Sequence, residues 1–210
     1  MAAVIPRRRY SPRLPRAQRR EQVLDAALRL LGSKGFAAAS MEGIAREADI
    51  AKTVVYDAFG TREDLLHALF VREQERSLAD VGVAMPTPPV SGQPLDVLVE
   101  ALTGWLEAVR RNPDRWRLIL LPADGTPPAF RAAVDRNRGQ LLRQIEPLVA
   151  WGLQRLGLPD LDPELAAHML LGTSENAARL TLTQPRRFPP ARVAAFAGDL
   201  LGALGQDLGA

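Results

Sequence analysis

From Arg16 onward the apolar residues of this chain recur at steps of three and four, and nowhere do they alternate in a run long enough for a strand. Only a helix satisfies that period. Val23, Ala27 and Leu30, interleaved with Leu24, Leu28 and Leu31, set the first stripe, and Gly32 and Gly35 close it by taking backbone angles that side chains resist. Ser40 then offers an N-cap hydroxyl to a short second helix striped by Met41, Ile44, Ala45 and Ala48. A break at Asp49-Ile50-Ala51 leads to a third short helix over 52–59, ended by Gly60. Thr61-Arg62-Glu63-Asp64 reads as a capping box, the Thr61 hydroxyl accepting an early N–H and Asp64 reaching back to the Thr61 amide. It opens a fourth helix to about residue 81.

Prolines punctuate the rest. Four of them stand in 85–94, which reads as a linker or ordered loop. Further helices are expected over 94–111, 114–121, 128–156, 163–183 and 189–206, with prolines near their starts. Pro147 lies inside the longest and should kink it, because it removes a backbone donor. The expected fold is all-α, about nine helices without internal repeats. A flexible basic arm (1–16) precedes a unit of short helices (17–64) and a longer helical unit (65–210).

The 210 residues are 47% hydrophobic and 24% charged, the balance of a globular domain with a substantial core. Cysteine is absent, which excludes disulfides, thiolate metal sites and cysteine nucleophiles. No apolar run approaches the roughly 18–20 residues that span a bilayer, and no apolar stretch follows the basic N-terminus as in a secretory signal. A cytoplasmic location is expected. The net charge of +3 is concentrated: residues 1–20 hold seven arginines and no acid, so the remainder is net acidic.

Three short helices, two of them joined by a tight turn, meet the requirements of a helix-turn-helix. Ala45 is small where the helices cross. Ile50, Val54 or Val55, and Phe59 supply the inner apolar face, and Asp49 is among the better non-glycine residues for a turn with positive φ. The run Ser40-Met-Glu-Gly-Ile-Ala-Arg-Glu-Ala-Asp-Ile-Ala-Lys-Thr-Val-Val-Tyr-Asp-Ala-Phe-Gly-Thr-Arg-Glu-Asp-Leu-Leu66 resembles the DNA-binding segment of the TetR family of bacterial transcriptional regulators. The order Ser/Thr, Ile-Ala, turn, Lys, Tyr, Phe and acidic cap is shared over about 19–66. Gln184-Pro-Arg-Arg-Phe-Pro-Pro-Ala-Arg192 is similar to one branch of that family.

The resemblance implies roles residue by residue. Ser40, Lys52 and Tyr56 match positions that hold DNA phosphates, as do Thr61 and Arg62 at a helix start that favours anions. Thr53, Val54 and Asp57 lie at or beside positions facing base edges. Three features depart from the pattern. Ala51 replaces a Ser/Thr cap worth about 1 kcal/mol. Thr53 adds bulk where a small residue is frequent. Asp57 and Ala58 replace a His or aromatic pair, and Asp57 either accepts from a cytosine amino group or points to solvent and caps a neighbour. Arg7, Arg8 and Arg9 of the arm are expected to follow the DNA backbone or enter the minor groove, or else to form a solubilising tail.

No catalytic constellation appears after residue 94. His67 and His168 are too far apart in sequence to suggest a metal site, and neither a nucleophile elbow nor a phosphate loop is present. An enzyme, a cofactor and a metal are not expected. Trp105, Trp116, Phe130, Trp151, His168 and Met169 fall on helices that surround an inducer cavity in the family, and each is otherwise plain core. Arg115, Arg117, Arg131, Arg136, Arg138 and Arg143 read as a solvated face rather than a site for an acidic ligand. Two surplus stripes, Leu165, Gly172, Asn176, Ala177 and Leu180, then Val193, Phe196, Ala197, Leu200, Leu201 and Leu204, call for a partner. In the family such helices pair as a four-helix bundle, placing recognition helices about 34–36 Å apart on a palindrome.

The expected function is a homodimeric, ligand-responsive regulator of double-stranded DNA, a repressor released by a small molecule, without membrane contact. The other reading is a helical ligand-binding or scaffold protein that has lost DNA binding.

Overall fold

Five of the nine helices among the described residues begin at a proline, whose fixed φ suits the first helical position and whose missing N–H is unneeded there. The computed structural model describes residues 14–86, 90–122 and 125–208, with side chains to 203. Within them run α1 (Arg16–Lys34), a 3₁₀ turn (Phe36–Ala38), α2 (Met41–Glu47), α3 (Lys52–Phe59) and α4 (Arg62–Ala84). There follow α5 (Pro94–Arg111), α6 (Pro113–Leu120), α7 (Pro128–Arg155), α8 (Pro163–Thr183) and α9 (Pro190–Leu208). No strand occurs among the described residues. The α7 helix runs across Pro147.

Two local readings need correction. The 3₁₀ turn between α1 and α2 has too short a period to register in a search for helical stripes. At Thr61 the hydroxyl accepts from the Asp64 N–H (3.1 Å) as expected. The Asp64 carboxylate, however, takes the Thr61 hydroxyl proton (2.7 Å), because the Thr61 N–H is spent on the Phe59 carbonyl.

The first core cluster joins α1, the 3₁₀ turn, α2, α3 and the start of α4, with Val23, Ile44, Val55, Leu65 and Leu69 at its centre. It also takes in Leu118 of α6 and Phe130 of α7, so the N-terminal head and the body share buried surface. Phe70 of α4 links them, stacked on Phe130 at 4.1 Å between ring centres and tilted against Phe36 at 6.0 Å. A second cluster joins α5, α6 and α8, and a third α7 and α8.

Gly43 lets α2 seat on the 3₁₀ turn: a Cβ there would lie 2.4 Å from the Ala38 carbonyl oxygen. Gly32 lets α6 approach α1, where a Cβ would meet Asp114 Oδ1 at 2.9 Å.

Candidate functional site

The geometry of α2 and α3 follows from a few local bonds. Ser40 caps α2 by accepting the Gly43 N–H at 3.0 Å. The chain then reverses at Asp49, the single non-glycine residue with positive φ (53°) among those described. The Ile50 N–H donates to the Ala45 carbonyl at 3.0 Å and closes the turn. Ala51 caps α3 in extended geometry with no side-chain bond, as its methyl group requires.

On α3, Val55, Ala58 and Phe59 are buried, which leaves Lys52, Thr53, Tyr56 and Asp57 on one exposed face and Val54 half-buried at its edge. The helix is held from behind by α1. The Arg20 guanidinium lies 4.0 Å from the Phe59 ring centre and donates to the Ala58 carbonyl, while Gln22 donates to the Ala48 carbonyl at 3.0 Å. The face is therefore presented rigidly, with side chains of a length suited to a major groove. The Asp57 side chain is exposed and makes no hydrogen bond among the described residues, so it caps no neighbour there.

Two of the expected phosphate residues are already engaged. The Lys52 ammonium pairs with the Glu42 carboxylate of α2, with the Tyr56 ring 5.5 Å away. Their hydrogen bond holds Glu42 below the usual carboxylate range and raises Lys52 above its ordinary value. Arg62 donates to the carbonyls of Ala39 (2.7 Å) and Phe36 (2.9 Å). Through Nε and Nη2 its guanidinium thus ties α4 to the 3₁₀ turn, which leaves the Nη1 donors for an anion. Glu42 and Gly43 were invisible as partners in sequence, since both lie on a helix read only for its apolar stripe. Arg7, Arg8 and Arg9 lie outside the described residues.

Beneath the head lies a buried ion network. Glu73 of α4 is 0% exposed and accepts from Arg72 (2.7 Å) and from Arg115 of α6 (2.8 Å). Arg72 donates onward to Glu21 (2.9 Å) and Asp25 (2.8 Å) of α1, and Arg115 to Asp80 (2.5 Å). Burial by itself would lower Arg72, but the Glu73 charge and the Glu21 hydrogen bond more than offset it and the guanidinium is raised. Arg115 therefore belongs to no solvated face. Arg138 is also paired, with Glu175 at 2.9 Å. Nothing in the helical periodicity separated these arginines from their solvated neighbours.

The body holds a partly open cavity of about 910 Å³ between α4, α5, α7 and α8, with Trp116, Ile119 and Leu120 of α6 in its wall. Trp105, Trp116, Phe130 and Trp151 line it, though Phe130 also packs into the head core. His168 and Met169 do not: both are exposed, Met169 at 62%, because α8 turns Ala167 and Leu171 inward instead. Among the described residues no group of His, Asp and Glu side chains is placed to hold a metal ion, and no helix is long and apolar enough to cross a membrane.

The stripes on the last two helices divide. Leu165, Asn176, Phe196 and Leu200 are exposed, Phe196 at 66% and Leu165 at 56%. Gly172, Leu180, Ala197 and Leu201 are half-buried. Ala177 and Val193 turn inward against the α5–α6–α8 core. The Leu204 side chain lies outside the described residues.

An exposed face on α3, joined to α2 by a tight turn and braced by the longer α1, defines a helix-turn-helix of the DNA-binding type. Residues 23–69, the helix-turn-helix part of the chain, match the model of the bacterial regulatory proteins of the tetR family. The chain is similar to the HTH-type transcriptional activator FasR of Mycolicibacterium smegmatis, 32% identical over 126 residues, 60% of this chain and 56% of that protein. The match thus spans just over half of that relative's length. A TetR-like regulator from Rhodococcus sp. RHA1 is 29% identical, with 90% of this chain and 96% of that one covered at a TM-score of 0.73. The regulator FadR of Bacillus subtilis, solved in complex with stearoyl-CoA, is 19% identical and shares the fold, with 86% and 96% covered at 0.62.

Proposed function

We propose that the protein is a cytoplasmic homodimeric repressor that binds a palindromic operator through α3 and is released when a small apolar molecule fills the body cavity. One observation carries the reading. The cavity wall Trp116 is followed back along α6 by Arg115, which grips Glu73 of α4 and, through Arg72, the α1 helix that braces the recognition helix. A ligand that displaces α6 must therefore shift α4 and α1, and it switches binding only if it favours one of the two arrangements.

The dimer reading rests on the outward apolar stripe of α8 and α9, with Leu165, Met169, Phe196 and Leu200 in water in the single chain. A second copy covering it would form a four-helix bundle. The cavity is large, mostly apolar and long, and the FadR complex with stearoyl-CoA supports an acyl chain as its occupant. The division into a head over 17–64 and a body over 65–210 is part of the same proposal. Ser40, Lys52, Tyr56 and Thr61 are assigned to phosphates and Thr53, Val54 and Asp57 to base edges.

Selection of genomic fragments with the purified protein, followed by footprinting, tests the reading. A protected palindrome released by octadecanoyl-CoA is expected. On that site Lys52→Ala and Tyr56→Ala should each weaken binding to all sequences by about tenfold, and Lys52→Ala alone should lower the salt slope by about 0.9. A double variant that binds at full strength overturns the placement of α3. The name of FasR favours activation instead, and the sign of the change in a purified transcription assay decides between the two. A scaffold that has lost DNA binding would not be retained on non-specific DNA at low salt.

A further inference from the structure

Polar side chains are unevenly spread along the cavity. On α4 the polar lining residues are Gln74 and Ser77, and everything beyond them is apolar. On α7 none lies past Gln144, and on α8 they begin at Ser174. Gln74 meets Asn137 at 3.2 Å and Arg138 meets Glu175 at 2.9 Å, so the polar half of each helix lies at the same end, nearest the head. The opposite end is walled by Met85 of the α4 C-terminus, Pro94 of α5 and Gly152 of α7. From Gln74 to Ala84 the helix rises about 15 Å, so the space suits a long chain with one polar terminus.

On the α6 wall of the cavity, within the apolar α5–α6–α8 cluster, stands a donor without an acceptor. Trp116 is 4% exposed, it forms part of the cavity wall, and its indole Nε1–H is buried with no hydrogen-bond partner. Buried N–H groups are almost always paired, so an orphan at a cavity wall marks a place where something else supplies the acceptor. Its neighbour Trp105 is half-buried, lines the same cavity and packs edge-on to it at 6.0 Å and 89°.

We propose that Trp116 Nε1–H anchors the carbonyl oxygen of a long-chain acyl ligand, with its tail toward Met85 and Gly152. The proposal rests on the acyl-responsive reading above. The oxygen is shared by a free carboxylate and a thioester, and both are tested. Trp116 adjoins Arg115, so the anchored oxygen sits one residue from the link to Glu73 and the head.

Full-length protein is titrated with octadecanoate and with octadecanoyl-CoA, and N-phenyl-1-naphthylamine serves as an apolar probe of the same cavity. Trp116→Phe keeps an aromatic ring and removes the donor. It should weaken whichever acyl ligand binds by about tenfold and leave the apolar probe unchanged. In wild type, the indole N–H resonance of Trp116 should move downfield on adding that ligand, with Trp105→Phe and Trp151→Phe to assign the signals. Equal acyl affinity in the variant with an unmoved Trp116 resonance overturns the anchor and leaves the acyl reading standing. Failure of wild type to bind either acyl ligand while it binds the apolar probe overturns the acyl reading itself. If the variant loses the apolar probe as well, the wild-type resonance decides.

Discussion

Arg115 and Glu73, 42 residues apart in sequence, meet through a 2.8 Å hydrogen bond with both side chains buried. The pair fastens α6 to α4, and Glu73 is also held by Arg72. A buried carboxylate is retained only when its charge is fully compensated, and here two guanidinium groups do so.

Glu73→Gln leaves those two guanidinium groups facing an uncharged amide. Because Arg72 keeps Glu21 and Asp25 and Arg115 keeps Asp80, it should destabilise the protein by about 1–3 kcal/mol, read as a lower urea midpoint. Arg115→Ala should cost less, because Glu73 keeps Arg72, and it should still bind operator while losing ligand-induced release. A variant with normal release would show that α6 does not transmit through this pair.

If Lys52 holds a phosphate as proposed, its pair with Glu42 competes with that contact. Replacing Glu42 by Gln frees the ammonium and removes a carboxylate from the approach of the phosphates, so affinity for any DNA should rise about threefold at low salt. The lowered Glu42 value means its contribution is present above the ordinary carboxylate range and lost only as pH falls through the lower folded value. The gain in the variant should therefore stay flat over about pH 6–9. A gain that grows toward low pH would contradict it.

Gly43→Ala places a methyl group 2.4 Å from the Ala38 carbonyl oxygen, a contact with backbone that cannot rotate away. Either α2 or the 3₁₀ turn must shift. The expected loss is about 1–3 kcal/mol, with weaker operator binding because α2 sets the position of α3. Thermal unfolding and a binding titration read the two effects.

Ala51→Ser adds the missing cap of α3. The backbone there is already extended (φ −69°, ψ 144°), so the hydroxyl can accept an early N–H without rearrangement. Stability should rise by about 1 kcal/mol, measured as a higher urea midpoint with an unchanged slope.

Phe196→Glu puts a charge in the most exposed aromatic position of the α8–α9 face. If two copies join there, sedimentation should show monomers at concentrations where wild type is dimeric, and operator affinity should fall with dimerisation. A charged variant that remains dimeric would move the interface elsewhere.

The helical period, the prolines at helix starts, the glycine stops and the Ser40 and Asp49 signals are local, and they were enough to place α1 to α9 and the turn between α2 and α3. Local physics settles such features because a cap, a fixed φ or a 3.6-residue stripe acts within a few residues. What the arginines do is another matter. Arg115, Arg117 and Arg138 look alike in sequence, yet one is buried on Glu73, one pairs with Asp114 on its own helix and one reaches Glu175. Whether Lys52 is free or tied to Glu42, and whether Trp116 or Met169 faces the cavity, likewise depends on how helices distant in sequence are rotated against each other. That rotation is decided by the packing of the whole core, which no window of residues contains.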